Sequence, residues 1–337
     1  MEKLIYVDDS LPGITRRGAG TGFAYYCPKG IRIEDRHERA RLNAIALPPA
    51  YRDAWFCPAE NGHILATGYD DRGRKQYRYH PEFRTMREGE KFDQCAAFGR
   101  LLPLMRKRVR EDLEQPHVTE SCALAAVVRL LDLSAIRIGN EHYTQQNGSY
   151  GATTLRREHV DMDSHGFTLN FTGKGGKDRD IDLDDPGLAK AIRRMSDLPA
   201  ADKDRHLFRY CTSDRETRSV NSGAVNEYIG ATMGGDFTAK HFRTWHASVL
   251  AFETLVDGDG ELPIRALLER VAERLGNTEA IARKSYIHPA VIERVEGQAQ
   301  WRDQLRLPRK TQWQSAAERG LIELLEESPE AAELLTA

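Results

Sequence analysis

The sequence predicts an α+β protein with a small β-rich N-terminal domain, residues 1–90, and a larger, mainly α-helical domain, residues 91–337. Glycine and proline interrupt the first domain at short intervals, which is typical of short strands joined by turns. In the rest of the chain, apolar residues recur at helical spacing. Within this helical part, strand-like segments at 167–172 and 179–183 flank the glycine-rich segment 173–178 and predict a β-hairpin.

The composition is that of an ordinary globular protein. Charged residues make up 30% of the 337 residues, and this length is sufficient for two domains. No apolar run could span a bilayer and no N-terminal signal pattern is present, so we expect a cytoplasmic protein with no membrane association. The five cysteines form no Cys-x-x-Cys pair and lack a zinc-like histidine spacing, which predicts reduced, structural thiols and no metal site.

The net charge of −2 is distributed unevenly along the chain. Residues 70–110 carry twelve Lys and Arg against six Asp and Glu, whereas residues 318–337 carry six Glu against a single Arg. Basic segments either form solvated surfaces or contact nucleic-acid phosphates. We therefore keep a nucleic-acid partner as a hypothesis and predict an acidic C-terminal helix.

The start of the basic segment alternates aromatic and polar side chains after a turn at Gly73. In a strand, this pattern would place Tyr77 and Tyr79 on one face and Gln76 and Arg78 on the other. Basic side chains provide phosphate contacts and Gln can read a base edge, although a polar edge strand would carry the same pattern. The candidate DNA-binding residues here are Arg74, Lys75, Gln76, Tyr77, Arg78 and Tyr79.

Two glycine-rich segments fail to match nucleotide-binding motifs. The glycines of 18–22 miss the dinucleotide pattern because Phe23 stands where its last glycine is required. In the segment 173–178, neither Gly-Lys pair is followed by Ser or Thr, as a phosphate-binding loop requires. We therefore predict no nucleotide cofactor.

Four side chains in the helical part are candidates for chemistry. Arg137 follows the very apolar segment 123–133, and an arginine in such surroundings requires an acidic partner or an anionic ligand. Lys174 stands at the hairpin tip, and Arg243 lies in a helical segment with neighbouring Lys and His. Tyr286 ends a short helical segment, where a tyrosine usually packs with its hydroxyl at the surface.

The order of these residues resembles that of the type IB DNA topoisomerases, in particular their bacterial, poxvirus-like branch. The matching motifs are Ile-Arg-Ile-Gly at Arg137, Thr-Gly-Lys at Lys174, His-Phe-Arg-Thr at Arg243 and Arg-Lys-Ser-Tyr at Tyr286. The sequence at 73–79 extends the resemblance over most of the chain. Four motifs in this order with suitable spacing are specific, although each alone is weak.

The resemblance implies a monomeric, nucleoid-associated isomerase, independent of ATP and metals, that forms a C-shaped clamp around double-stranded DNA and relaxes supercoils. Tyr286 would attack a phosphodiester to give a 3′-phosphotyrosyl intermediate. Arg137 and Arg243 would stabilise the transition state, and Lys174, alone or in a relay with Arg137, would protonate the leaving 5′-oxygen; which of the two delivers the proton stays open. The implied catalytic residues are Tyr286, Arg137, Lys174, Arg243 and Asn277, and Lys240 and His241 join the DNA-binding residues.

Asn277 departs from much of the family, which has His nine residues before the tyrosine. An amide can donate a hydrogen bond to a phosphate but cannot become charged, so we expect no pH dependence from this position. The same residue, following Gly276, is also a candidate helix N-cap. In one continuous helix the Cα atoms of Asn277 and Tyr286 would lie ~13 Å apart. We therefore predict a bend or loop between them, or a Tyr286 that moves into place only when DNA binds.

Two other functions remain open from the sequence. A tyrosine recombinase shares the Arg, Lys, Arg and Tyr chemistry, but its catalytic domain typically follows a helical domain, whereas here the preceding domain is β-rich. A non-enzymatic DNA clamp would use the same basic surfaces without cleaving DNA. Relaxation of plasmid DNA and a covalent protein–DNA adduct distinguish the three.

Overall fold

The protein is represented by a computed structural model that describes residues 3–20, 22–163, 166–199 and 205–336. The chain divides after Glu90 into two compact units. Within the described ranges, no helix is both long enough and apolar enough to cross a membrane.

The elements of the first unit are β1 Ile14–Ala19, β2 Gly22–Tyr26, α1 Arg36–Ala44, β3 Arg52–Phe56, β4 Ile64–Tyr69 and β5 Lys75–Tyr79. The five strands form one antiparallel sheet in the order β2-β1-β3-β4-β5, which confirms the predicted β-rich N-terminal region and places β5 at an edge. Phe56 and Ala66 on the sheet and Leu42 on α1 are buried in its core.

The second unit is mainly helical, as predicted, and is assembled around helix α3. This helix is apolar on nearly all sides and is therefore enclosed rather than exposed along one face. The first helices are α2 Pro81–Leu113, which begins before the predicted domain boundary, α3 Glu120–Ser134, α4 Glu141–Asn147, α5 Pro186–Ser196 and α6 Ser222–Met233. They are followed by α7 Ala239–Val256, α8 Ile264–Leu275, α9 Glu279–Ser285, α10 Pro289–Glu293, α11 Gln298–Gln304, α12 Ala316–Glu327 and α13 Ala331–Leu334.

Short strands complete the second unit. The predicted hairpin is present: its strands pair from Phe167↔Leu183 to Gly173↔Lys177, and a third strand that was too short to predict adds to one edge. Glycines with positive φ form the tip after Lys174, since the tight turn requires the left-handed region. The strands are β6 Val160–Met162, β7 Phe167–Gly173, β8 Lys177–Leu183, β9 Arg209–Cys211 and β10 Thr217–Ser219, and 3₁₀ turns span Ala152–Thr154 and Arg157–His159.

The acidic C-terminal helix α12 is docked onto the unit rather than solvated along its whole length. Its Glu318 is 6% exposed and pairs with Arg106 at 2.7 Å, while Arg106 also pairs with Asp132 at 2.8 Å. His246 on α7 lies 3.1 Å from the same Asp132 carboxylate. This buried network fixes α12 against α2, α3 and α7, because any one of its charges left unpaired would be strongly unfavourable.

Candidate active site

The end of helix α8 is the centre of the candidate site. Gly276 adopts the left-handed conformation and donates its backbone N–H to the carbonyl of Glu273 at 3.1 Å. Asn277 donates its own N–H to the carbonyl of Ala272 at 2.9 Å. These two hydrogen bonds form a Schellman motif, which ends the helix with a sharp turn. We call residues 272–277 the α8 terminus.

Arg243, near the start of α7, contacts the α8 terminus from one side. It is 4% exposed, and its guanidinium donates to the carbonyl of Leu275 at 3.2 Å and to that of Ala135 at 2.5 Å. The guanidinium carbon lies 4.8 Å from the centroid of the Tyr286 ring. Burial lowers the pKa of Arg243 to about 10, so the side chain is still charged at neutral pH.

Arg137 contacts the α8 terminus from the loop after α3, where Ala135 takes the left-handed conformation and ends the helix. The loop is closely packed, because a Cβ atom at position 151 would lie only 2.6 Å from the Arg137 carbonyl oxygen and only Gly151 fits there. Nη2 of Arg137 donates a short hydrogen bond to Oδ1 of Asn277. Arg137 from this loop and Arg243 from α7 therefore meet at one helix end.

Asn277 is 9% exposed and does not act as the predicted N-cap. The cap of α9 is Thr278, whose hydroxyl accepts the N–H of Ile281. Asn277 precedes the cap because its backbone completes the Schellman motif, and this leaves its side chain available to Arg137. Its Nδ2 is buried and forms no hydrogen bond within the part of the chain that the structure describes.

Tyr286 immediately follows α9, and its backbone is no longer helical. The predicted interruption is confirmed, since Asn277 and Tyr286 both lie outside this short helix. Burial is the largest single effect on the Tyr286 phenol and by itself would raise its pKa, but the charge and hydrogen bonding of Arg243, the charge of Arg137 and the amide of Asn277 together outweigh burial and lower the pKa. The phenol ring lies beside Arg243, and no movement is needed to bring these two side chains together.

Side chains of α2 and α7 form hydrogen bonds with the backbone around Tyr286. The hydroxyl of Ser248 donates to the carbonyl of Tyr286 at 3.3 Å and accepts the N–H of His288 at 2.9 Å. Nζ of Lys91 donates to the carbonyl of Ser285 at 2.8 Å. These bonds fix the position of the chain that carries the phenol.

Arg283 and Lys284 precede the tyrosine in sequence but have a different environment. Both are exposed on α9 and line a separate surface groove. The ionisation of Tyr286 is therefore governed by residues that are distant in sequence rather than by its immediate basic neighbours.

A cleft of about 310 Å³ brings the predicted residues together. Lys174, exposed at the hairpin tip, lines it with Arg137, Arg243 and Tyr286. Asn277 does not line this cleft and is connected to it through its hydrogen bond with Arg137. A lysine, a tyrosine and two arginines thus line one cavity.

Lys240 and His241 are adjacent in sequence but have different environments. Lys240 is exposed and lines the cleft. The prediction that His241 contacts DNA is wrong, because its ring is 4% exposed and stacks on Phe98. Its Nδ1 accepts the N–H of Thr238 at 2.9 Å and its Nε2 lies 3.1 Å from Oε1 of Gln94. His241 therefore caps the start of α7.

In the first unit, edge strand β5 and Arg74, which immediately precedes it, carry the other predicted DNA-binding residues. Tyr77 and Tyr79 share one face, with stacked rings whose centroids lie 5.8 Å apart, and this confirms the predicted alternation. Both rings are more than two-fifths exposed. Each polar side chain has a protein partner: Arg74 and Gln76 bond to Asp70, Lys75 pairs with Asp9, and Arg78 donates to the carbonyl of Ala46.

The comparison with known protein families agrees with the family that the residues of the cleft resemble. Residues 80–307, more than half of the chain, match the family described as eukaryotic DNA topoisomerase I, catalytic core. Residues 22–70 match the family described as bacterial DNA topoisomerase IB, N-terminal domain. The chain belongs to the type IB DNA topoisomerases. It is an enzyme with the catalytic core of this family, and the resemblance to its bacterial and poxvirus-like members is confirmed.

Individual relatives are similar along most of their length. DNA topoisomerase 1B of Acanthamoeba polyphaga mimivirus is 29% identical over 297 residues, covering 84% of this chain and 87% of the relative. DNA topoisomerase 1B of vaccinia virus (strain Copenhagen) is 19% identical over 242 residues, covering 69% and 73%. A solved XerH site-specific recombinase bound to its difH substrate has 16% identity and a TM-score of 0.37 over 54% of this chain and 47% of its own. That last similarity is too low to bear on the fold or the function.

The topoisomerase site also contains two cations that the sequence analysis did not single out. Lys177 and Arg179 on β8 both donate hydrogen bonds to backbone carbonyls of the α8 terminus. Their spacing of two residues places them on one face of the strand, and this pattern was visible in the sequence. Their partners lie 94 to 100 residues further along the chain and are backbone atoms, which leave no sequence signal.

Proposed function

We propose that this topoisomerase relaxes supercoiled duplex DNA by cutting one strand with Tyr286, letting the nicked duplex rotate, and resealing the strand. The observation that carries the proposal is the Tyr286 ring, 4.8 Å from Arg243, in a cleft that Arg137 and Lys174 also line. The 3′-phosphotyrosyl ester conserves the energy of the phosphodiester bond, so the cycle requires no nucleotide.

In the cleavage step, the phenol oxygen of Tyr286 bonds to phosphorus and the bond from phosphorus to the 5′-oxygen breaks. The phenol releases its proton to solvent water, which the lowered pKa of Tyr286 favours, and takes a proton back from water when the ester is resealed. The departing 5′-oxygen must gain a proton, and Lys174 is the general acid that supplies it. Religation reverses each step: the 5′-hydroxyl returns its proton to Lys174 and attacks the phosphotyrosyl ester.

The two arginines stabilise the negative charge that develops on the non-bridging oxygens. Among the described residues neither Arg137 nor Arg243 forms a salt bridge, although Arg243 is almost fully buried. A buried guanidinium without a carboxylate partner favours an anionic ligand. Nε of Arg243 and Nδ2 of Asn277 are buried and lack a well-formed hydrogen bond within the described ranges, although both side chains act on the Tyr286 phenol; a phosphate attacked by that phenol would supply acceptors for both.

Double-stranded DNA is the proposed partner of both units of a monomeric, cytoplasmic enzyme. The exposed tyrosines and cations of β5 contact the duplex from the first unit, and Lys240 contacts it beside the cleft. A clamp of this kind binds through phosphates, so its affinity falls steeply as salt rises.

The proposal is tested with supercoiled plasmid in buffer that lacks ATP and magnesium. We expect relaxed topoisomers and a protein–DNA adduct that survives denaturant. Tyr286→Phe removes the nucleophilic oxygen and should abolish both products while leaving DNA binding intact. Tyr210→Phe is the matched control, because Tyr210 bonds to Glu120 outside the cleft and its substitution should leave relaxation unchanged.

The same assay separates the alternatives. A recombinase would exchange strands between paired sites and give recombinant products. A non-enzymatic clamp would bind plasmid but give neither relaxation nor adduct. Relaxation that persists in Tyr286→Phe would remove Tyr286 from the role of nucleophile.

A further inference from the structure

The hairpin that carries Lys174 is attached to the α8 terminus by the other side of its tip. Nζ of Lys177 donates to the carbonyl of Asn277 at 3.1 Å. Nη1 and Nη2 of Arg179 donate to the carbonyls of Glu273 at 3.2 Å and Arg274 at 2.8 Å. We call Lys177 and Arg179 the hairpin clasp.

The clasp satisfies backbone groups that a helix leaves unpaired. The last carbonyls of a helix lack partners within it and carry the negative end of the helix dipole, so two cations are well suited to bind them. The guanidinium of Arg179 lies directly against Gly276, where an added Cβ would come within 2.5 Å of Nη1. Within the described residues Arg179 forms no salt bridge with a carboxylate, and the two carbonyls hold its guanidinium in place. Burial and the charges of Arg274 and Arg137 lower the pKa of Arg179.

The neighbouring carbonyl of the α8 terminus, that of Leu275, accepts from Arg243. Asn277, at the end of the same segment, accepts from Arg137 through its side chain and from Lys177 through its backbone. One six-residue segment therefore joins the hairpin to both catalytic arginines. Besides the clasp, the hairpin is connected to the cleft on the β7 side of its tip, where the carbonyl of Thr172 accepts the N–H of Tyr150 at 2.8 Å. The clasp holds the β8 side, after the two positive-φ glycines.

We propose that the hairpin clasp is a positioning device that aligns Lys174 with the arginines and the tyrosine before DNA binds. The inference rests on the proposed role of Lys174 as general acid. Arg179 is its principal residue, because its two nitrogens bond to two successive carbonyls, whereas Lys177 bonds to one. Neither side chain of the clasp needs to touch DNA for this role.

The test uses two DNA duplexes that differ in one atom at the scissile phosphate. One has the normal 5′-oxygen, which must be protonated as it leaves; the other has sulfur there, and a thiolate leaves without a proton because thiols ionise far more readily than alcohols. A displaced general acid therefore slows cleavage of the oxygen substrate and not of the sulfur substrate. Single-turnover cleavage is measured at saturating DNA for the full-length wild type, Lys174→Ala, Arg179→Ala and Arg179→Lys.

For Arg179→Ala we expect cleavage of the oxygen substrate to slow by about 10- to 100-fold, the scale expected for a catalytic group displaced by roughly 1 Å. Cleavage of the sulfur substrate should stay near the wild-type rate, as for Lys174→Ala. Arg179→Lys keeps the charge but loses the two-pronged fork, so its rate should lie between those of Arg179→Ala and wild type. Arg270→Ala, which removes an exposed arginine of α8 outside the clasp, should cleave both substrates at the wild-type rate.

The outcomes separate the inference from the proposed function. An Arg179→Ala enzyme that cleaves the oxygen substrate at the wild-type rate would overturn the inference, and so would one slowed equally on both substrates. In either case, a Lys174→Ala enzyme slowed only on the oxygen substrate would leave the proposed function standing. If Lys174→Ala cleaved both substrates normally, the general-acid role would fail and the inference with it. A melting temperature within experimental error of wild type establishes that the Arg179→Ala fold is intact.

Discussion

The cleft of the second unit and strand β5 of the first both combine tyrosines with cations, but their charges are balanced differently. In the cleft, Arg243 is buried and donates to backbone carbonyls, and within the described residues it faces no carboxylate. On β5, Arg74 pairs with Asp70 and Lys75 pairs with Asp9. The cleft therefore keeps positive charge that an anionic ligand can neutralise, whereas part of the charge on β5 is already neutralised.

We propose that this difference separates the residues that act in catalysis from those that act in DNA binding. Fixed, buried cations act most strongly on charge that develops in a transition state, because water does not screen them. Exposed cations act mainly on binding, through contacts to phosphates that weaken with salt. Substitutions in the cleft should thus lower the cleavage rate at saturating DNA, while substitutions on β5 should lower affinity alone.

The largest effect within this comparison is expected from Arg243→Gln. The variant should lose about 10²- to 10³-fold in single-turnover cleavage rate, the scale seen when one preorganised donor to a developing charge is removed. Its pH profile should also shift: without the Arg243 charge, burial raises the pKa of Tyr286, so the rate should rise only at higher pH than in wild type. If the variant bound DNA more weakly but cleaved it at the wild-type rate at saturating DNA, Arg243 would contribute to binding rather than to catalysis.

A smaller and pH-dependent effect is expected from Asn277→His. At pH 8 the rate should change by about tenfold or less, the value of one neutral hydrogen bond. Below about pH 6.5 an imidazole gains a proton, and here burial and Arg137 move its pKa lower still. The ratio of variant to wild-type rate should therefore rise as the pH falls through that range. A ratio that stays flat from pH 5 to pH 8 would argue against contact between position 277 and the phosphate.

The smallest effect on chemistry is expected on β5, from Arg78→Ala. Binding should weaken and the slope of log affinity against log salt should fall by about one, since one phosphate contact is lost. The cleavage rate at saturating DNA should equal that of wild type. Arg36→Ala, which removes an exposed arginine from α1, should change neither quantity. If Arg78→Ala lowered the cleavage rate at saturating DNA, β5 would contribute to catalysis, and the proposed difference between β5 and the cleft would be wrong.

Most of the fold was predicted from the periodic spacing of apolar and aromatic residues. Alternation along 75–79 correctly placed Tyr77 and Tyr79 on one face, and the apolar spacing before Gly276 correctly ended α8 there. The site was harder to derive, because each of its residues has an ordinary local environment and only the family resemblance grouped them. Their grouping depends on contacts between segments that are more than a hundred residues apart, such as Arg137 with Asn277.

The errors share a physical cause, which is competition for backbone hydrogen bonds. Asn277 has the chemistry of an N-cap, but the Schellman motif uses its backbone and Thr278 caps α9 instead. His241 has the chemistry of a DNA contact, but it closes a capping box at the start of α7. The hairpin clasp was missed because its acceptors are carbonyls, which every residue possesses.

The identity of the covalent link tests the central claim most directly. The protein is incubated with a duplex whose cleaved strand loses a short downstream fragment, so that religation fails and the adduct accumulates. Tryptic digestion followed by mass spectrometry then locates the attached nucleotide. The account predicts a 3′-phosphate linked to Tyr286 in the peptide spanning 285–294, and a free 5′-hydroxyl on the released fragment. A link to another residue, or through a 5′-phosphate, would contradict it.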